Sequence, residues 1–204
     1  MKLPAPIQKV VDELSELPSI GPRQAIRLAF HLINEGRQNI RGLATSIAEL
    51  GDIKICERCF FIHQNDGALC DICKNPHRAQ DIIMIVEKET DLISLENTGK
   101  FSGRYFVIGE IPKTGFLEDW QKLRLQSLKS FIEKKPSAGL GGKAEEIILA
   151  FNPTSLGDLQ ASLLMKELAP LTKKTTRLGR GLPTGGEIEF ADDETLASAL
   201  EGRS

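Results

Sequence analysis

No apolar run in this sequence is long. The two longest, Ile82–Val86 and Ile147–Phe151, hold five residues each, far short of the roughly 20 that a helix needs to span a bilayer. Met1 to Ile7 show neither an apolar stretch nor a small-residue cleavage site, so they do not read as a secretory signal. An excess of charge is missing too. The 26 basic and 28 acidic side chains give a formal net charge of −2, and the two portions differ little, at +1 over residues 1–80 and −3 over the remainder. That balance excludes a chain whose whole surface grips polyanions. Any DNA contact must come from a local basic patch or from several copies sharing one site. Repeats and low-complexity tracts are absent. What remains is ordinary globular material, 41% hydrophobic and 26% charged over 204 residues, enough for one large domain or two to three small ones. The expected compartment is the cytosol. Thiols stay reduced there, so the four cysteines point to a metal rather than to disulfides.

Periodicity divides the chain into parts. Ile7, Val10, Val11 and Leu14 recur at helical spacing. The turn residues of Leu17–Pro22 follow, then a helix over Arg23–Ile33 and another over Ile40–Leu50 with Ile40, Leu43, Ala44 and Ile47 on one face. Residues 1–53 therefore read as one helical region. Residues 54–80 hold the cysteines. From Asp81 the texture becomes strand–helix–strand. Ile82–Val86 is a continuous β-rich run, the mark of a strand buried on both faces. A helix is expected over Glu89–Asn97, a strand over Arg104–Ile108, helices over Trp120–Lys134 and Ser155–Leu168, and a strand over Glu146–Phe151. Such alternation predicts a parallel α/β sheet, here over residues 81–170. The tail, 171–204, is expected to end in a short strand at Glu187–Phe190 and a helix at Glu194–Leu200. Ser137–Gly142 reads as the flexible loop.

Cys56-x2-Cys59 and Cys70-x2-Cys73 are two knuckles ten residues apart. Each brings two thiolates to one ion, and two complete a tetrahedron with no position left for water, which makes a structural zinc site. His63 and His77, nearby, are read as surface residues.

Ser19-Ile-Gly-Pro-Arg-Gln-Ala25 lies between two helices and resembles the helix-hairpin-helix motif. A turn at Gly21 lets backbone N–H groups approach a phosphate, and the next helix adds its positive end. Arg23 and Arg27, four apart on one helical face, could flank the phosphates. Such contacts go to the nucleic-acid backbone and are independent of sequence. Ser19 stands where the motif has its first glycine. Small Ala25 would let the helices pack closely.

Glu87 follows the first buried strand, at the edge of an open parallel sheet where functional groups gather. Asn152–Asp158 follows the third strand at the same edge. The pattern resembles the Toprim fold, whose enzymes hold Mg²⁺ with a strand-end Glu and an Asp-x-Asp pair. Asn152 and Thr154 occupy the places of that pair, leaving Glu87 and Asp158, a thin magnesium site. Ser137–Ala144 resembles a phosphate loop only superficially. It lacks the G-x4-G-K-[ST] spacing, which excludes ATP binding there.

Helical hairpin, four-cysteine module and Toprim-like sheet, in that order, resemble the RecR family of bacterial recombination mediators. Gly181–Phe190, Thr195–Arg203, Phe101–Tyr105 and Asn152–Thr154 strengthen the likeness, which covers nearly the whole chain. It implies a mixed α/β protein built from an N-terminal helix-hairpin-helix, a zinc module, a Toprim-like parallel sheet with flanking helices and a C-terminal strand–helix tail. It also implies a non-enzymatic, ring-like homo-oligomer, a dimer or tetramer, that clamps DNA at the bacterial nucleoid and acts with RecO, and in some settings RecF, to load RecA at single-stranded gaps. By the same resemblance Gly21, Arg23 and Arg27 are the DNA-contacting positions, Cys56, Cys59, Cys70 and Cys73 the zinc ligands, and Glu87 and Asp158 the acidic positions of the RecO contact. The chain departs from the family's pattern at Leu156, where an acidic residue is usual, and over Gly109–Phe116, where a Ser-Pro-Leu-x-Gly-x-Gly-Pro loop is usual. The alternative reading of the same carboxylates is a Mg²⁺-dependent Toprim nuclease.

Overall fold

A computed structural model describes residues 2–134 and 142–203. They form two compact units, Met1–Ile53 and Lys54–Ser204.

The first unit holds α1 (Ala5–Ser15), α2 (Pro22–Glu35) and α3 (Arg37–Glu49), closed by a 3-10 turn at Leu50–Asp52. Pro22 opens α2, where its missing N–H is of no consequence and its fixed φ suits the helix. Gly36 ends α2 at a φ of 88°, a conformation that favours glycine. α1 and α2 meet through Val11, Ala25 and Ala29, all buried, with Ile7, Leu14, Ile20 and Ile26 around them. Alanines one turn apart on α2 let the two helices approach closely, as the sequence suggests. The apolar face of α3 is present but uncovered: Ile40, Leu43 and Ile47 are 39%, 44% and 58% exposed.

The second unit begins with the cysteine module: an antiparallel hairpin of β1 (Lys54–Ile55) and β2 (Ile62–His63), then the one-turn helix α4 (Asp71–Lys74). The sheet follows. β3 (Ile82–Val86), α5 (Glu89–Asn97), β4 (Arg104–Val107), α6 (Asp119–Lys134), β5 (Ala144–Ala150), α7 (Ser155–Leu168) and β6 (Thr172–Arg177) precede the terminal α8 (Asp193–Glu201). Strand order is β4-β3-β5-β6 and every pairing is parallel. Ile83 lies between Arg104 and Ile147, and Val86 between Val107 and Ala150. Alternation along β3 sends Ile83 and Ile85 to one face and Met84 and Val86 to the other. The first face packs on Leu125, Leu128 and Ile132 of α6 and on Ala161, Leu164 and Leu168 of α7. The second packs on Leu92 of α5 and on Phe61 and Ile72 of the cysteine module.

Two bolts join the module to the sheet. The Val107 N–H donates to the Cys59 carbonyl at 2.8 Å, and the Phe60 ring meets Phe106 edge-on at 5.5 Å. Farther along, Arg78 forks onto both Glu96 oxygens, at 2.5 and 2.9 Å, and also donates to the Gly103 and Phe101 carbonyls at 2.7 and 2.9 Å.

Three expectations change. The tail does run strand then helix, but the strand is β6, which joins the sheet, and Glu187–Phe190 is not a strand. Ile188–Phe190 forms a 3-10 turn with Ile188 and Phe190 exposed, and among the described residues no strand pairs with it. The sheet therefore extends past residue 170, to Arg177. His63 is buried rather than on the surface: β2 turns its ring inward, where Nδ1 accepts from the Asn65 N–H at 3.2 Å. The flexible-loop reading of Ser137–Gly142 and the phosphate-loop comparison at Ser137–Ala144 fall largely outside the described residues.

Candidate functional site

The cysteine cluster is the best-formed site. Cys56 and Cys59 sit on the turn of the β1–β2 hairpin, and Cys70 and Cys73 at the start of and inside α4. The first knuckle is closed by the Phe60 N–H donating to the Cys56 carbonyl at 2.9 Å and the Cys56 N–H donating to Phe61 at 2.8 Å. Phe60 takes a φ of 62° there, a strained conformation for a bulky residue, held by its contact with Phe106 and by Arg124 stacked 4.8 Å above its ring. All four thiols are buried, and their sulfur atoms lie within 4.8 Å of one another. A tetrahedral ion with bonds of about 2.3 Å needs sulfur–sulfur edges of about 3.8 Å, so the cluster fits a metal with small adjustment. Hydrogen bonds from Cys59, Cys70 and Cys73 hold the Cys56 thiol well below its usual range, whereas Cys59 is pushed well above it by donating to Cys56 and the others. Among the described residues this is the one group of three or more His, Cys, Asp and Glu side chains whose ligand atoms converge so.

The sheet edge is organised differently. Glu87 directly follows β3, is 6% exposed, and accepts from the Asn152 N–H through Oε1 at 2.8 Å. Thr154 caps α7, its hydroxyl accepting from the Gly157 N–H at 3.1 Å. Gly157 is buried against this turn, where a Cβ would overlap the Asn152 carbonyl oxygen. Asp158, in the first turn of α7, accepts from Arg177 and Arg180 on one oxygen, and Arg180 also reaches Glu194 of α8 at 3.2 Å. The Arg177 guanidinium first, and then Arg180, hold the Asp158 carboxyl below the usual carboxylate range. Glu87 and Asp158 thus flank one loop, but each is spent on a different partner. Sequence reasoning missed Arg177 and Arg180. Arg177 ends, and Arg180 follows, a polar strand that hydrophobic patterning does not reveal.

In the hairpin, Ser19 has a φ of 65°. The residue that replaces the motif's first glycine keeps a glycine-like backbone. Gly21 is extended, and open space lies where its Cβ would stand. No side chain caps α2, which leaves its first N–H groups facing outward. Arg23 and Arg27 are both exposed.

Three family models match the chain in order: RecR, helix-hairpin-helix over residues 7–50, a Toprim domain over 81–179, and RecR, C-terminal over 181–204. The recombination protein RecR of Roseiflexus castenholzii is 41% identical over 204 residues, covering 98% of this chain and 94% of that protein. That of Chloroflexus aggregans is 40% identical over 202 residues, covering 98% and 93%. That of Frankia alni is 38% identical over 200 residues, covering 97% and 95%. Among the described residues no helix is long and apolar enough to cross a membrane. Identity at this level, sustained across almost the whole of both partners in each pairing, makes this chain a member of the RecR family of recombination proteins.

Proposed function

We propose that the chain is a non-enzymatic DNA clamp of recombinational repair. It binds one structural zinc ion at Cys56, Cys59, Cys70 and Cys73. It acts in the bacterial cytoplasm, at the nucleoid, with RecO and in some settings RecF, to load RecA at single-stranded gaps. The observation that carries this reading is near-full-length kinship to recombination proteins, joined to an uncapped helix start beside exposed Arg23 and Arg27. Gly21 with open space above it admits a phosphate close to the backbone. A net charge of −2 gives one copy little grip, which favours a ring-like oligomer that multiplies a small basic patch. The uncovered Ile40, Leu43 and Ile47 supply an apolar face for assembly.

The Toprim edge is better suited to holding a partner than to phosphoryl chemistry. Asp158 is neutralised by two arginines, and Glu87 is bonded to the backbone. Asn152 and Thr154 carry no charge. On this reading Asp158 faces RecO, and Glu87 fixes the Asn152 loop that presents the contact.

The test is anisotropy on single-stranded and gapped DNA across a salt series. Each lost phosphate contact lowers the salt slope by about 0.7–0.9, so Arg23→Ala with Arg27→Ala should weaken binding and reduce the slope by about 1.4–1.8. Unchanged binding would remove the hairpin as the contact. The same DNA incubated with divalent metals should stay intact. Cleavage that Glu87→Gln abolishes would establish the nuclease instead. Light scattering with and without DNA reads the oligomer, and a strict monomer that still binds would contradict the ring.

A further inference from the structure

A zinc ion held by four thiolates carries a formal charge of −2. Here that dianion would be sealed in: Cys56, Cys59, Cys70 and Cys73 are 0%, 1%, 2% and 3% exposed. Burying such charge is costly unless cations or donors face it.

Two arginines stand beside the cluster. Arg58, inside the first knuckle, donates Nη1 to the Cys73 carbonyl at 3.3 Å. Arg104 opens β4 and is only 4% exposed. Its Nε and Nη1 are buried with no hydrogen-bond partner. Both guanidiniums lie over the same ring, Phe131, at 5.2 and 5.7 Å from its centre. Two like charges on one ring repel. Burial, and then Arg58, make the Arg104 charge harder to keep, while the thiols of Cys73, Cys59 and Cys56 act the other way. Arg58, Cys73, Arg104 and Phe131 line one cavity of about 10 Å³. That is room for about one water molecule. The anion that answers both arginines is the metal centre itself.

We propose that Arg58 and Arg104 are the counter-charge of the zinc–tetrathiolate centre, two cations set against a formal charge of −2, and that they raise its hold on zinc. This rests on the zinc reading above. Arg104 is a positioning residue: it ligates nothing and acts through the thiolates. Its place on β4 makes metal affinity depend on the sheet, since a residue of the Toprim strand completes the electrostatics of the module.

The experiment is zinc affinity by chelator competition on the full chain, with zinc content of the wild type measured first. A wild type without zinc sinks the metal reading itself. With zinc present, Arg104→Met should weaken affinity by about 10–100-fold, the range for outer partners of metal ligands, and Arg104→Lys should recover most of the loss. Alkylation of the zinc-bound thiolates by a maleimide should also quicken in Arg104→Met, because removing a nearby cation makes them more nucleophilic. Affinity within twofold of wild type, with equal melting losses in zinc-loaded and chelated protein, overturns the proposal and leaves Arg104 a packing residue. If Arg104→Met does not fold, Arg58→Met, at a half-buried position, decides by the same two readouts.

Discussion

Replacing Arg78 by methionine removes one guanidinium and strands four acceptors, namely both Glu96 oxygens and the carbonyls of Gly103 and Phe101. A hydrogen bond from a charged donor contributes about 1.5–3 kcal/mol. The four do not add, because one side chain makes them all. Removing one partner of a buried ion pair costs about 3–5 kcal/mol. Arg78 is well enclosed, with its side chain 11% exposed, but Glu96 at 35% can turn to water, so the low end applies. Methionine keeps much of the apolar stem. The expected loss is about 3 kcal/mol, which at about 2–4 °C per kcal/mol lowers the melting temperature by about 6–12 °C. Arg78→Lys should recover little, since an ammonium cannot fork onto a carboxylate and reach two carbonyls as well. The assay is built into the chain. Trp120 is its one tryptophan and lies in the same compact unit as Arg78, so its fluorescence through a urea titration follows that unit. A loss below about 0.5 kcal/mol, the level of an ordinary surface change, would refute the view that this clamp holds the end of the cysteine module to β4 and α5.

Two further outcomes follow from the sheet edge. Gly157→Ala should cost about 1–3 kcal/mol by overpacking, read by the same titration, because its Cβ meets the rigid Asn152 carbonyl; an unchanged midpoint would show that the α7 turn yields freely. Asp158, held down by Arg177 and Arg180, should titrate by carboxyl NMR below the usual aspartate value of about 3.9. A carboxyl whose folded value is depressed contributes stability above its unfolded value and loses it as pH falls through the folded one. The edge should therefore loosen only below about pH 4, and Arg177→Gln should move the titration upward. An ordinary value in the wild type would show that the two arginines do not bind the carboxylate in solution.

Legibility tracked burial. β3 is five consecutive apolar residues, and α5 and α7 carry apolar spacing between clear stops, so their limits read directly from the sequence. The cysteines announced their cluster by spacing alone. β6 did not show itself, because Thr-Lys-Lys-Thr-Thr-Arg is polar. An edge strand pairs on one side only and needs little apolar surface. Its threonines, β-branched and suited to a pleated surface, were the available signal. Glu187–Phe190 erred the other way, since alternation predicts a strand but cannot supply a partner to pair with. The hairpin shows a third limit. Ser19 departs from the motif in letters, yet its φ of 65° preserves the motif in geometry. Arg104, a charge opening an otherwise apolar strand, was visible in the sequence, but nothing there could show that it lines one cavity with Cys73.

The bond from the Val107 N–H to the Cys59 carbonyl reaches beyond local architecture. β4 and β6 are the two outer strands of the sheet, and an outer strand invites pairing with a stranger. β6 discourages it with Lys173 and Lys174, which stay exposed. β4 has no such defence along Tyr105, Phe106 and Val107, all buried, and the cysteine hairpin lies against its end. On the zinc reading proposed above, stripping the metal would release that hairpin and bare a sticky apolar strand. The first symptom of zinc starvation in such a chain would then be precipitation, before any failure to find DNA.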